Sequence, residues 1–439
     1  MKNPAHLILC RTPKERIRKG ITVIARGEGV RVFDEQGRSY LDLTAGLNRP
    51  VHVGYGRREI AQAAYDQMCE LAFFTPMEFA NRPAIALSDK LAELAPAGID
   101  HFLFVSDGSE AVEAALKLAR HYHYYRGEKR RYKVISRRGA YHGVTAGALG
   151  LLGTVIPMRH IMEPLAPGSV FVESPYCYRC AFHQRYPECD LLCASDVERI
   201  IQSEDPEQIS AFIGEPIQQG FGVLPPPAGY WEVIQRICRA YGIVLIVDEV
   251  ICGFGRTGAW FGCQHFGIDP DMITMAKGLS SGYVPLGAVG CTGEIMERIE
   301  VFHHLHTYAN HPVSCAAAVK NIEILEREHL IEKAREVGHY FLEGLRSLES
   351  HPSVGEVRGK GLWTSIDFTS DKKTKAPFPV AGLVRMVDRA MGKGLIIKTV
   401  AQALDFAPAL TITKGDIDEG IRILDECISE EEREMGLRR

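Results

Sequence analysis

The sequence predicts an α/β protein built on a largely parallel sheet with helices covering both faces. Three observations predict it. Apolar, β-rich runs recur beyond about residue 84: HFLFV (101–105), YKVIS (132–136), ISAFIGE (209–215), GIVLIVDEV (242–250) and DMITMA (271–276). Helical stretches separate them, among them SEAVEAALKLARHYHYY (109–125) and GYWEVIQRICRAY (229–241). The runs are continuously apolar rather than alternating, as strands buried on both sides are.

The flanking segments read differently. Residues 21–43 alternate around Gly-rich gaps, which suggests a small antiparallel meander. Residues 312–347 read as helix. The last hundred residues return to α+β: a strand at 362–368, a helix at 380–394, a strand at LIIKTV (395–400) and a closing helix from Lys414. A chain of 439 residues exceeds what one core serves. The expected division is a large domain over 60–330 and a smaller α+β domain assembled from both termini, 1–59 and 331–439. No repeat or low-complexity segment interrupts this plan.

Composition excludes several classes. Charged residues make up 24% and the net charge is -4, so no strong basic field exists to recruit nucleic acid or an anionic membrane. No apolar run reaches the ~18 residues of a membrane span. The apolar stretch Leu7 to Cys10 is too short for a signal-peptide core. A cytoplasmic protein is expected. Most of the 12 cysteines, such as Cys238, Cys252 and Cys315, stand singly in apolar segments and read as buried small hydrophobes.

In such sheets, ligands bind beyond the carboxyl ends of strands, and the polar exceptions of this chain fall there. The apolar strand at 242–247 gives way to Asp248 and Glu249, and a buried carboxylate needs a cationic partner. The strand at 271–276 leads to Lys277, and a buried lysine has its pKa lowered and becomes a better nucleophile. The strand at 101–105 leads through Ser106-Asp107-Gly108-Ser109 into a helix, and a glycine-containing turn at a helix N-terminus is an anion site. Each piece has a plainer reading alone: a cap, a helix-end lysine, an N-cap at Asp107 or Ser109. Together they supply what pyridoxal 5′-phosphate needs, namely a lysine for its aldehyde, an acid for its ring nitrogen and a phosphate anchor.

The same segments resemble the class III, fold-type I aminotransferases over essentially the whole chain. FVSDGSEAVEAALKLAR (104–120), GAYHG (139–143), GEPIQ (214–218), LIVDEVICGFGRTG (245–258), MAKGLSSGYVPLGAV (275–289) and HTYANHPVSCAAA (306–318) match that family's blocks in order. The resemblance implies a seven-stranded, mostly parallel sheet in the large domain. It implies that Lys277 forms the Schiff base and then carries the proton, while Asp248 pairs with the ring nitrogen. Val250 and Tyr141 would flank the ring, and Ile251 would also belong to the cofactor-binding set. Gly108 and Ser109 would hold the phosphate, with Thr307 reaching it from a neighbouring subunit. His142 and Glu215 would stand behind these groups, and Gln218 would lie near the cofactor or serve structure alone. A homodimer follows from the shared site, with a tetramer left open.

Departures from the family pattern narrow the substrates. Members that use glutamate and 2-oxoglutarate resemble EPxQGE and carry an arginine before an FAPPL-like block; here Gly220 and Asp405 stand at those places. Val250-Ile251 and the HPV of ANHPVS resemble pyruvate-using ω-amino acid aminotransferases. The expected reaction moves an amino group from a small, ω-type amine to a keto acid, pyruvate by expectation, in a ping-pong cycle. Arg49, Arg358 and Lys398 are candidate anchors for a substrate anion, with Arg49 also readable as a surface turn charge. Two alternatives share the family: an amino-acid racemase or epimerase, which Gly220 disfavours, and an amino-alcohol-phosphate phospholyase, whose dianion those three cations would suit. Asp107 reads as a helix cap facing away from the phosphate. Cys177, Cys180, Cys189 and Cys193 form C-x2-C-x8-C-x3-C, a set that could bind zinc or simply remain reduced thiols; no metal is assigned to the reaction.

Overall fold

A computed structural model of the protein describes residues 6–153 and 157–437. Its centre is a seven-stranded sheet, in spatial order Ile99–Val105, Gly287–Thr292, Met272–Met275, Val244–Asp248, Ile209–Gly214, Lys133–Arg137 and Ser169–Val172. Six strands run one way and Gly287–Thr292 opposes both of its neighbours. Side chains alternate to two apolar layers, as strand geometry requires. Ile213, Ile246 and Met272 pack with Val112, Ala115 and Leu118 of the Gly108–Tyr125 helix. Phe212, Leu245, Val247 and Ile273 pack on the other face with Trp231, Ile234 and Ile237 of the Tyr230–Tyr241 helix.

The Gly287–Thr292 strand is where sequence pattern was weakest. Its GAVGCT reads as poor strand because glycine lowers β propensity. Close approach demands those glycines: a Cβ on Gly287 would lie 2.1 Å from the Asp107 carbonyl oxygen, and one on Gly290 would lie 2.8 Å from the Phe102 ring.

Both termini contribute to two smaller sheets. Ile24–Glu28, Arg31–Asp34 and Ser39–Asp42 form the expected meander, and Leu395–Ile396 joins it in parallel. The second sheet orders Val354–Lys360, Trp363–Asp371, Ala403–Phe406 and Lys398–Val400, with Ala376–Pro377 paired to its longest strand. LIIKTV is therefore two strands, not one: it breaks at the buried Ile397 to serve both sheets. The helical stretch 312–347 is likewise two helices, Pro312–Arg327 and Leu330–Arg346, broken where His329 takes φ +51°. Among the described residues, no helix is long and apolar enough to cross a membrane.

Candidate active site

The carboxyl edge of the large sheet gathers the polar residues that its strands cannot bury elsewhere. Asp248 ends its strand, Glu215 follows Gly214, Lys277 follows Met275 by two residues, and Gly108 opens the helix after Val105. Asp107 caps that helix, its carboxylate accepting from the Glu110 N–H at 2.9 Å. The cap turns Asp107 to its own helix, as the sequence suggested. A Cβ on Gly108 would meet Val250 Cγ1 at 2.9 Å, so only glycine lets the helix start this close to Val250. Gly143, at φ +121°, lies against Ser109 in the same way, with its built Cβ 2.5 Å from Ser109 Oγ. The Val144 N–H donates to that hydroxyl at 3.4 Å.

Lys277 is half-buried and its backbone sits at φ +46°, a left-handed conformation that costs a non-glycine residue about 1–3 kcal/mol unless the surroundings impose it. They do: Asn321 donates to the Gly278 carbonyl at 2.8 Å and to the Leu279 carbonyl at 3.0 Å, and a Cβ on Gly278 would strike His52. Burial, helped by the Arg49 charge and opposed by Asp248, lowers the Lys277 amine to about 8. Asp248 accepts from His142 Nδ1 at 2.6 Å and from the Val250 N–H at 3.0 Å. His142 is itself buried, with Nε2 unpaired among protein atoms.

Glu215 holds the neighbouring loops together. It accepts from the N–H groups of Tyr141 and Gln219, both at 3.3 Å, and Arg137 donates to it at 3.5 Å. Burial pushes its carboxyl up despite these partners. Gln218 pairs by backbone with Leu224 and donates from its side chain to the Arg138 carbonyl at 2.9 Å, which closes the 218–224 loop. Ile251 turns into a separate apolar cluster with Ile217, Val223 and Trp363, so of the two DEVI apolar residues Val250 is the one beside Gly108.

The three candidate anion anchors have different surroundings. Arg358 is engaged on every side: it donates to the Val223 carbonyl at 2.7 Å, the Phe221 carbonyl at 2.9 Å, Asp367 at 2.8 Å and Glu356 at 2.5 Å. Arg49 is no surface turn charge, being 3% exposed and bound through Nε and Nη2 to both oxygens of Asp405, which is 1% exposed. Lys398 is half-buried, donates to the Leu47 carbonyl at 2.9 Å, and is lowered to about 7 by burial and then by the charge of Arg49. Thr307 lies in an exposed turn that Asn310 pins to Phe104, its N–H and side-chain oxygen both bonding that residue's backbone at 3.0 Å.

Sequence reasoning missed Asn321, His52, Arg137 and Arg256. The signal was present for Asn321, a polar residue on the apolar face of AAAVKNIEIL that is fully buried. Arg256 is also fully buried and donates to the Leu362 and Pro408 carbonyls at 3.0 and 2.5 Å. The four clustered cysteines line one small cavity with Tyr176 and Phe182 and are all free thiols. Among the described residues, no three His, Cys, Asp or Glu side chains are gathered to hold a metal ion.

Comparison with known proteins agrees with this geometry. The family model for class-III aminotransferases matches residues 14–428. The putrescine–pyruvate aminotransferase of Pseudomonas aeruginosa is 38% identical, over 95% of this chain and 92% of that protein. The diaminobutyrate–2-oxoglutarate transaminase of Halomonas elongata is 39% identical, over 90% of this chain and 88% of that one. The crystal structure of the omega transaminase from Pseudomonas jessenii in complex with PMP superposes with a TM-score of 0.94 at 34% identity, covering 98% of this chain and 97% of that one. With a half-buried lysine, a strand-end acid and a glycine-lined helix N-terminus at one sheet edge, and a family match over almost its whole length, the chain belongs to the class III aminotransferases, fold-type I enzymes that use pyridoxal 5′-phosphate.

Proposed function

We propose that this enzyme moves an amino group from a short ω-amino acid or amine to pyruvate, in a ping-pong cycle. The observation that carries the reading is the convergence of Lys277, the Asp248–His142 pair and the Gly108–Ser109 helix start. When bound, pyridoxal phosphate supplies an aldehyde that condenses with amines and a ring that takes up the electron pair left on the substrate carbon. The donors present fit it. Lys277 Nζ, lowered toward neutrality, is partly a free base near pH 7–8, so it would hold the cofactor's aldehyde carbon and would serve as the base for the proton on the donor's carbon. Asp248, fixed by His142 and the Val250 N–H, would pair with the ring nitrogen and keep its proton in place. The first N–H groups of the Gly108–Tyr125 helix and Ser109 Oγ would hold the phosphate. Val250 and Tyr141 would bound the ring on its two faces, and Glu215 fixes Tyr141 through its backbone.

Identity does not choose the keto acid, since relatives named for pyruvate and for 2-oxoglutarate stand equally near. The site favours pyruvate. Gly220 offers no acid and Arg49 is already paired, so the second carboxylate of 2-oxoglutarate meets no free fork. Lys398 is the cation left for a single carboxylate, of the keto acid or of the donor. Arg358 has four acceptors of its own, which removes it from that role and leaves the phospholyase alternative without its dianion site. The residues 1–59 and 331–439 act as the small domain on the 60–330 body, and two copies share the site through Thr307. With its free cysteines the enzyme suits a reducing cytoplasm.

The test is kinetic. With a common donor, kcat/KM for pyruvate should exceed that for 2-oxoglutarate by roughly 30–150-fold, the value of a lost two-bond ion pair. Equal values for the two acids would remove the pyruvate reading.

A further inference from the structure

Arg49 and Asp405 lie 356 residues apart in the chain and meet beside Lys277. Asp405 sits on the Ala403–Phe406 strand, in register with Ser365 on one side and Lys398 on the other. Arg49 ends a loop in which Ala45, Gly46, Leu47 and Arg49 all have positive φ, the last at +68°. Such backbone persists only where its surroundings over-determine it, and the fork onto Asp405 tethers the loop's end, with Lys398 donating to the Leu47 carbonyl at 2.9 Å. Both oxygens of Asp405 are taken by the guanidinium.

The pair stands in a cationic setting. Arg49 is the charge felt most by Lys277, by Lys398 and by Arg256. Arg256 keeps Nε and Nη2 without a protein partner, and the nearby Ser365 hydroxyl and Trp363 indole are likewise unpaired. Without Asp405, Arg49 and Lys398 would lose their common counter-charge, with Asp248 acting on Lys277 and Asp42 on Arg256, and a carboxylate entering from a substrate would be the natural replacement. The chain supplies that carboxylate itself, at fixed distance and without loss of translational freedom, so a free dicarboxylate competes at a disadvantage.

We propose that Asp405 sets the keto-acid specificity of this site: its carboxylate fills the Arg49 fork as a substrate's distal carboxylate would, and so denies dicarboxylates the guanidinium they need. The proposal deepens the pyruvate reading above and rests on it. It makes Asp405 a specificity-determining residue that touches no reacting atom.

The test uses unreactive ligands on the cofactor-loaded enzyme. Glutarate, a dicarboxylate, and propionate, a monocarboxylate, are titrated by calorimetry and by the visible absorbance of the bound cofactor. Asp405→Asn should tighten glutarate roughly 30-fold relative to propionate, because it frees one two-bond fork. Since Asp405→Asn leaves a buried charge unpaired and is at risk of misfolding, Arg49→Met/Asp405→Leu is measured beside it. That variant removes both charges at similar volume and should show no glutarate gain. A folded Asp405→Asn enzyme with an unchanged glutarate-to-propionate ratio overturns the proposal. So does a double variant that gains glutarate, since the gain would then not run through Arg49. Wild-type enzyme that turns over 2-oxoglutarate as well as pyruvate refutes the acceptor reading, a result separable from the ligand ratios.

Discussion

His142 Nδ1 lies 2.6 Å from Asp248 Oδ2, and both side chains are buried. A carboxylate only accepts, so the imidazole donates here, and the Val250 N–H donates to the other oxygen. The two bonds leave Asp248 one orientation at the end of its strand. A hydrogen bond to a charged group contributes about 1.5–3 kcal/mol.

His142→Ala should therefore lower kcat by about 10–150-fold through loss of that orientation. Asp248→Asn, which removes the charge itself, should fall further. A merely structural role for His142 would leave the cofactor's absorbance spectrum and its pH dependence untouched. Wild-type kcat in His142→Ala at saturating cofactor would refute the positioning role.

Lys277 makes a stability prediction for the cofactor-free protein. Its amine is held at about 8 when folded, against the ordinary lysine value when unfolded. The folded state thus binds fewer protons between those values. The cost of burying the ammonium is fully present below pH 8 and is relieved as pH rises toward 10.5, so stability should rise across that window. Lys277→Met should reduce that slope, leaving the part due to Lys398, and stabilise the cofactor-free protein at pH 7 by up to about 3 kcal/mol, while abolishing turnover. Denaturant unfolding at pH 7, 8 and 9.5 measures both effects, and identical slopes for the two proteins would contradict them.

The sheet and the placement of Lys277, Asp248 and Gly108 were legible because local pattern encodes them. A continuous apolar run specifies a buried strand, and an ionisable residue just past its end stands at the edge where such sheets bind ligands. Arg49 and Asp405 were each visible as departures, but nothing local says that two charges 356 residues apart will pair. Arg358 looked free for the same reason: two of its acceptors are backbone carbonyls of a loop, at Phe221 and Val223, which no side-chain pattern announces. The Gly287–Thr292 strand was hidden because its glycines answer to close neighbours rather than to strand propensity.

Arg358 should behave as a tether of the 218–224 loop rather than as a substrate anchor. Arg358→Met leaves Asp367 beside the Tyr176 hydroxyl and Arg179 but frees Phe221 and Val223. Breaking a buried pair from one side costs about 3–5 kcal/mol, so a clear fall in Tm is expected. Arg358→Lys should not restore it, because an ammonium cannot reproduce the fork. Phe221 also stacks on Tyr176 with ring centroids 5.5 Å apart, so the loop should become more open to proteolysis. An unchanged Tm with a raised KM for pyruvate would point instead to substrate binding.

The last prediction concerns assembly. The Thr307 turn is rigid at its far end, where Asn310 bonds Phe104 and its carbonyl accepts from Asn81 at 2.8 Å, yet Thr307 itself is exposed. Large apolar side chains are exposed in the same region: Phe73, Phe74, Met77, Phe79, Leu305 and Tyr308, with the Phe73 and Tyr308 rings 5.7 Å apart. An apolar patch of that kind marks a protein interface. If a second copy covers it and brings its own Thr307 to the phosphate, dissociation releases cofactor. Dilution should then lower activity and cofactor occupancy together, with a shared midpoint, and added pyridoxal phosphate should shift that midpoint to lower protein concentration. Tyr308→Glu should weaken both in parallel by placing a charge in the patch. Thr307→Val should weaken cofactor binding by about tenfold, one hydrogen bond to an anion, without altering the dimer. A fully active monomer in sedimentation would end the shared-site proposal.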